Sequence, residues 1–133
     1  MSYIIKTEPF EGSTGTTISL SQPCMYGGDT ISAGSEVFLW FSETKGGNGL
    51  VWLCLAEQVI NAGQPLVIVR LLYECPGQKF GIEDLEPFRD STDHTPIATL
   101  AKKLYAHSHE KIAGLTAEEA LFLRTRFVTT QVG

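Results

Sequence analysis

Three apolar runs between residues 36 and 74 decide the fold: EVFLWFS (36–42), LVWLCLAEQVI (50–60) and LVIVRLLYE (66–74). Each run is rich in β-branched and aromatic residues and has the length of a strand, so each is predicted to be a β-strand. The segment ETKGGNG (43–49) joins the first two runs, and its three glycines are typical of a hairpin connection. The stretch therefore predicts three consecutive antiparallel strands.

The register of the first hairpin determines where the two tryptophans of the chain lie. If the hairpin closes with Ser42 opposite Leu50, Trp40 lies directly across from Trp52, and both indoles project from the same face. Aromatic pairs across strands are ordinary sheet stabilisers, whereas two facing indoles also form a slot for a flat ligand. We therefore interpret the tryptophans either as core residues or as ligand-binding residues.

The rest of the chain places strands first and helices last. YIIK (3–6) and TISLS (17–21) predict two shorter strands that precede the three main ones. Pro96 follows a capping threonine and begins a helix with one apolar stripe, and TAEE (116–119) is a capping box that begins a second helix. This order predicts an α+β fold, in which C-terminal helices flank a small, mainly antiparallel sheet that is partly closed into a barrel.

Length and composition favour a single domain spanning residues 1–133. Hydrophobic residues make up 43% of the chain and charged residues 19%, as in ordinary soluble domains. No apolar run approaches the ~20 residues that a membrane helix needs, and the N-terminus lacks the pattern of a signal peptide. The three cysteines show no C-x-x-C spacing, which suits a reducing compartment. We therefore expect a cytoplasmic protein with no membrane association.

The sequence contains no set of residues typical of an enzyme. Paired carboxylates and the G-x-S-x-G and H-E-x-x-H motifs are missing, and nothing brings a cysteine and a histidine together. His107 and His109 are two positions apart, which does not place them on one helix face, and no third ligand is near. We therefore predict no catalytic residue, no metal site and no cofactor. The net charge of −5 also disfavours broad, non-specific binding of nucleic acid.

Several segments resemble the EVE domains of the PUA-like superfamily. YIIKTEP (3–9) resembles their opening segment, and AGSEVFLWFS (33–42) resembles one of their barrel strands. Residues 49–59 lie where these domains have the next strand, and LTAEEALFL (115–123) resembles their C-terminal segment. The order and spacing of these segments hold along most of the chain.

The resemblance implies a small, partly closed β-barrel flanked by helices. It also implies a non-catalytic module with a pocket for a nucleobase, often a modified one, in DNA or RNA. The predicted ligand-binding residues are Lys6, Thr7, Trp40 and Ser42, which are carried over position by position, together with Trp52 from the strand pairing and Tyr26 and Asp29 from the loop before the barrel.

A second hypothesis is an interaction domain that binds a protein partner or forms a homodimer and has no role with nucleic acid. The negative net charge and the lack of an obvious basic face favour this hypothesis. The position of the tryptophans distinguishes the two hypotheses, because a base-binding slot requires indoles that a ligand can reach.

Overall fold

A computed structural model describes residues 1–60, 64–76, 80–105 and 110–127. Within these ranges seven strands form one curled sheet, a half-barrel, and three helices accompany it. The α+β class is confirmed. The strands are β1 (Ser2–Thr7), β2 (Thr17–Ser21), β3 (Cys24–Met25), β4 (Glu36–Phe41), β5 (Gly49–Ile60), β6 (Leu66–Glu74) and β7 (Lys111–Leu115), and the helices are α1 (Ile82–Leu85), α2 (Pro96–Tyr105) and α3 (Ala117–Arg124).

The sheet is mixed, which corrects the prediction of a mainly antiparallel one. Its strands follow the order β2-β6-β5-β4-β1-β7-β3. β1 runs parallel to β4, and β3 runs parallel to β7, while the other neighbours are antiparallel. Parallel neighbours need a long connection, and residues 8–35 supply one between β1 and β4. Because β1 and β4 are parallel, both strands end at the same edge of the sheet.

Two hydrophobic cores lie on the two faces of the sheet. The first, which we call the barrel core, fills the inside of the curl, and the second, the helix core, lies between the sheet and the helices. The barrel core is formed by Tyr3, Ile5, Leu20, Ile31, Val37, Leu39, Phe41, Trp52, Cys54, Ala56, Val67, Val69, Leu71 and Ile112. The helix core is formed by Ile4, Phe38, Trp40, Leu50, Phe80, Leu85, Leu100, Ala101, Leu104, Tyr105, Ala113, Leu115, Ala120 and Leu123.

The two tryptophans belong to different cores, so the predicted pairing of Trp40 with Trp52 is wrong. Leu39 is the partner of Trp52, and a register shift after Leu39 makes Leu50 the partner of Trp40. Because side chains alternate between faces, this small difference places the indoles on opposite sides of the sheet. Trp40 is fully buried and Trp52 is 3% exposed. No slot for a flat ligand therefore exists between them.

Glycines allow close packing in the connection between β4 and β5. The connection contains a 3-10 turn at Glu43–Lys45 instead of a tight hairpin turn. A Cβ atom on Gly47 would lie 2.6 Å from the backbone of Phe41, and one on Gly49 would lie 2.4 Å from the carbonyl oxygen of Phe80. Gly49 also has a φ of +88°, which favours glycine. The connection therefore packs closely against the backbone of Phe41 and of Phe80 at positions where only glycine fits.

Both predicted C-terminal helices are confirmed, and so is the capping box of α3. The Thr116 hydroxyl accepts a hydrogen bond from the Glu119 amide at 3.1 Å, and the Glu119 carboxylate accepts one from the Thr116 amide at 2.8 Å. The short strands β3 and β7 were not predicted. Among the described residues, no helix is long and apolar enough to cross a membrane.

The separation of the indoles predicts independent effects of mutation. Trp40→Phe and Trp52→Phe should each destabilise the fold by about 1–3 kcal/mol, and the double variant should match their sum within about 0.5 kcal/mol. Free energies of unfolding from urea titrations followed by circular dichroism test this. The control cycle pairs Trp40→Phe with Tyr105→Phe, whose wild-type rings are in contact. Strong coupling between the two tryptophans would contradict the observed register.

Candidate functional site

The parallel strands β1 and β4 bring four of the predicted ligand-binding residues together. Lys6 pairs with Trp40, and the Ser42 amide donates to the Thr7 carbonyl oxygen at 2.8 Å. Glu43 follows directly in the 3-10 turn. We call the group of Lys6, Thr7, Trp40, Ser42 and Glu43 the β1–β4 end.

A chain of hydrogen bonds runs through the buried side of the β1–β4 end. The Trp40 indole N–H donates to the Tyr105 hydroxyl at 3.0 Å and lies 3.3 Å from Oε1 of Glu43. The Tyr105 hydroxyl donates to Oε1 of Glu43 at 3.0 Å and lies 3.2 Å from Oε2. An indole nitrogen can only donate, so the direction of the whole chain is fixed, and Glu43 must be the acceptor.

The Glu43 carboxylate keeps capacity for a further donor. Its Oε2 accepts a hydrogen bond from the Ile82 amide at 2.7 Å, which ties the turn after β4 to the start of α1. A carboxylate offers about four acceptor positions. Among the described residues Tyr105 and Ile82 donate to it, and the single Trp40 N–H is shared between Glu43 and the Tyr105 hydroxyl, so the carboxylate keeps acceptor capacity.

The environment keeps Tyr105 protonated. Burial raises the pKa of its hydroxyl, and the nearby charge and hydrogen bond of Glu43 raise this pKa further, while the hydrogen bond from Trp40 opposes them. The residue is 8% exposed. Tyr105 therefore remains a neutral phenol, and a hydrogen-bond donor to Glu43, across the ordinary pH range.

Two buried lysines bind the C-terminal end of α2. Lys6 and Lys111 are paired across β1 and β7. The Lys6 ammonium donates to the Leu104 carbonyl oxygen, and the Lys111 ammonium to the Lys103 carbonyl oxygen, each at 2.9 Å. Lys6 Nζ also lies 4.4 Å from the centre of the Tyr105 ring. Positive charge at this end of a helix is favourable, because the last carbonyl groups carry partial negative charge.

Burial lowers the pKa of both lysines. For Lys6 the negative charges of Glu43 and Glu110 oppose the effect of burial. For Lys111 burial is the larger cause, the positive charge of Lys6 adds to it, and the pKa falls to about 8. The pair therefore has a structural role in holding α2, and neither ammonium is exposed to a phosphate.

The side chains of Thr7 and Ser42 are also hydrogen-bonded within the protein. Thr7 is 3% exposed, and its hydroxyl accepts a hydrogen bond from the Gln22 amide at 3.3 Å. Ser42 is 1% exposed, and its hydroxyl is hydrogen-bonded to that of Thr44 at 2.9 Å. In this conformation neither hydroxyl is open to a ligand.

A cavity of about 290 Å³ adjoins the β1–β4 end on the side of Glu43. Its charged side chains are all carboxylates, so the cavity favours a ligand that is cationic or rich in hydrogen-bond donors. The lining residues are Glu43, Gly47, Asn48, Gly81, Ile82, Glu83 and Asp84.

The other predicted ligand-binding residues lie elsewhere. Trp52 is in the barrel core. Tyr26 is 44% exposed and lies with its ring centre 5.8 Å from Lys111 Nζ, and Asp29 is exposed in a 3-10 turn. None of the three lines the cavity at Glu43. His107 and His109 lie outside the described residues, within which no cluster of metal-binding side chains is found.

Sequence reasoning missed the two residues that organise the site, Glu43 and Tyr105. The sequence places Glu43 in the glycine-rich connection 43–49 and Tyr105 in the predicted helix that begins at Pro96. The one available signal is the position of Glu43. It directly follows the predicted strand 36–42, which ends at the predicted ligand-binding residue Ser42. Nothing local indicated a contact with Tyr105, 62 residues further along the chain.

Comparisons with protein-family models, with curated proteins and with solved structures give no match to this chain. The resemblance to EVE domains therefore stays a prediction that rests on the sequence segments quoted above.

The lowered pKa of Lys111 predicts a pH-dependent contribution to stability. Between about pH 8 and its ordinary pKa of 10.5, the unfolded chain holds more protons on this residue than the folded chain does. The contribution of Lys111 to the free energy of unfolding therefore rises with pH across this window, by up to about 1.4 kcal/mol per pH unit. Urea titrations at several pH values measure it.

Other titratable groups lower the free energy of unfolding as the pH rises. The contribution of Lys111 is therefore measured as a difference between wild type and a variant. Burial raises the pKa of Cys54 to about 12 and raises that of Tyr105, and both shifts lower stability as the unfolded chain ionises. The free energy of unfolding of wild type minus that of Lys111→Met should grow from pH 8 to pH 10. Lys102→Met, at an exposed lysine on α2, is the control for the loss of one positive charge. A constant difference for Lys111→Met would contradict the prediction.

Proposed function

We propose that the protein is a non-catalytic module that binds a nucleobase of DNA or RNA, including a modified base, in the cavity at Glu43. The observation that carries this proposal is a carboxylate fixed on the wall of a small cavity by the buried Trp40 and Tyr105. A carboxylate in a pocket is a suitable acceptor for the exocyclic amino group of a base.

The size and the charge of the cavity support a base as the bound group. Its volume of about 290 Å³ lies at the lower end of the range for small-molecule sites, which suits a single base better than a longer segment. Glu43, Glu83 and Asp84 line it, and their negative charge repels phosphate. The sugar-phosphate backbone would therefore stay outside, while an extruded or unpaired base enters.

The proposed role of the aromatic residues differs from the one expected from the sequence. Trp40 does not stack on the base, because it is fully buried beneath the helices. Its indole N–H supports the Glu43 side chain from behind. The fluorescence of Trp40 should nevertheless report on binding, because a hydrogen-bond donor that approaches Glu43 changes the electric field at the indole.

Replacement of Glu43 by glutamine should weaken binding of short single-stranded oligonucleotides that carry one cytosine, 5-methylcytosine or 5-hydroxymethylcytosine. We expect a loss of about tenfold or more, since a good contact to a base edge contributes ~1–3 kcal/mol. Fluorescence titration measures it in a Trp52→Phe background, where Trp40 is the single tryptophan.

The matched control is Glu86→Gln, an exposed glutamate on a neighbouring 3-10 turn that does not line the cavity. It changes the net charge by the same amount and should leave the affinity unaltered. If Glu43→Gln binds every oligonucleotide as tightly as its parent, the cavity is not the binding site.

A second candidate function is self-association through the outer face of β5 and β6. Leu55, Ile60 and Tyr73 are 37%, 41% and 61% exposed, and the strand pairing places all three on this face. Exposed apolar side chains on one sheet face are typical of contact surfaces between proteins, and here they flank the exposed ion pair of Arg70 with Glu57.

Sedimentation velocity over a range of protein concentrations tests self-association. We expect a monomer–dimer equilibrium that Tyr73→Lys shifts towards the monomer, because a buried lysine at the contact is costly. Leu121→Lys, on the exposed side of α3, is the control and should leave the equilibrium unchanged. A monomer at all concentrations would exclude this candidate.

A further inference from the structure

We propose that the Glu43 site selects bases that present an amino group over bases that present a carbonyl group at the same position, and that Tyr105 is the positioning residue that enforces this choice. The inference rests on the proposed function and deepens it by naming the class of base.

The first step of the argument is the direction of the hydrogen-bond chain. The Trp40 indole has a proton to give and no lone pair to accept with, so the Tyr105 oxygen accepts and the Tyr105 proton points to Glu43. Glu43 is therefore held as an acceptor. A group that meets the remaining lone pair of this carboxylate must itself donate.

The second step concerns the backbone donors around the cavity. The Ile82 amide donates to Glu43 at 2.7 Å, and the Gly81 amide donates to the Asp84 carboxylate at 3.0 Å. Both of these amides are therefore used by carboxylates of the protein, while Asn48, whose side-chain amide can donate as well as accept, also lines the cavity. A carbonyl oxygen that approaches the Glu43 carboxylate meets an acceptor, and an amino group there meets a hydrogen-bond partner.

The third step concerns the freedom of the Glu43 side chain. Glu43 lies in a turn and is partly exposed, so its carboxylate depends on its contacts for a fixed orientation. Tyr105 supplies a contact to both carboxylate oxygens and is itself buried at the end of α2. Loss of the Tyr105 hydroxyl frees the carboxylate to rotate towards solvent, and the preference between amino and carbonyl bases should fall.

The experiment compares single-stranded oligonucleotides that differ in one central base, cytosine against uracil and adenine against hypoxanthine. Each pair exchanges an amino group for a carbonyl group at one position, and the neighbouring ring nitrogen changes from an acceptor to an N–H donor at the same time. Wild type should prefer the amino base by roughly tenfold in Kd. Tyr105→Phe should bring the ratio close to one, with the affinity for the carbonyl base nearly unchanged.

Tyr3→Phe is the matched control, because it removes another buried tyrosine hydroxyl from the sheet. The Tyr3 hydroxyl is hydrogen-bonded to that of Thr30 at 2.7 Å and lies in the barrel core, away from the cavity. A general loss of packing would affect both variants, whereas a positioning role affects the base ratio of Tyr105→Phe alone.

A second variant keeps the inference testable if Tyr105→Phe fails to fold. Glu43→Gln presents an amide whose NH₂ group can face the cavity, so the preference should vanish or reverse towards the carbonyl bases. Binding by wild type without any preference would overturn the base class alone. An unchanged ratio in Tyr105→Phe would overturn the positioning role, and no binding of any oligonucleotide by wild type would overturn the proposed function itself.

Discussion

The attachment of the C-terminal end of α2 to the sheet is the constraint on which the site depends. Lys6 and Lys111 project from neighbouring strands and bind the last carbonyl groups of the helix. This contact fixes Tyr105, the last residue of α2, beneath the Lys6 ammonium and beside Trp40. Tyr105 in turn holds Glu43. A helix end, three strands and a turn are thus joined by one continuous polar network in an otherwise apolar core.

The network is costly to bury, and its connectivity offsets that cost. Burial removes hydration from both ammonium groups and so lowers the pKa of both lysines, and the positive charge of Lys6 lowers the pKa of Lys111 further. The helix carbonyls, the Tyr105 ring and the negative charge of Glu43 compensate in part. Among the described residues, every buried side-chain nitrogen or oxygen atom has a hydrogen-bond partner. A network of this kind specifies one arrangement, because the loss of any member leaves a buried group unpaired.

The sequence predicts the strands and helices of this fold better than it predicts how they pair and pack. The three main strands and both C-terminal helices follow from local patterns, which depend on neighbouring residues alone. The register of Trp40 does not, since the pairing of β4 with β5 shifts after Leu39, and no local pattern marks that irregularity. The strand β7 was missed because Lys111 begins it and a glycine interrupts its apolar run. No local pattern indicates the contact of Glu43 with Tyr105 either, because only the folded chain brings these two residues together.

The net charge of the protein and the polarity of its cavity both favour the proposed contact with a base over a contact with phosphate. A chain with a net charge of −5 gains little from the phosphate backbone, so under the proposed function the affinity would have to come from the base. A cavity wall of carboxylates whose neighbouring amides are already occupied accepts hydrogen bonds and offers few. Such a site disfavours anions and favours hydrogen-bond donors, and the proposed function uses it to recognise the edge of a base instead of the strand that carries it. Binding through the base edge should also depend weakly on salt, unlike binding through phosphate.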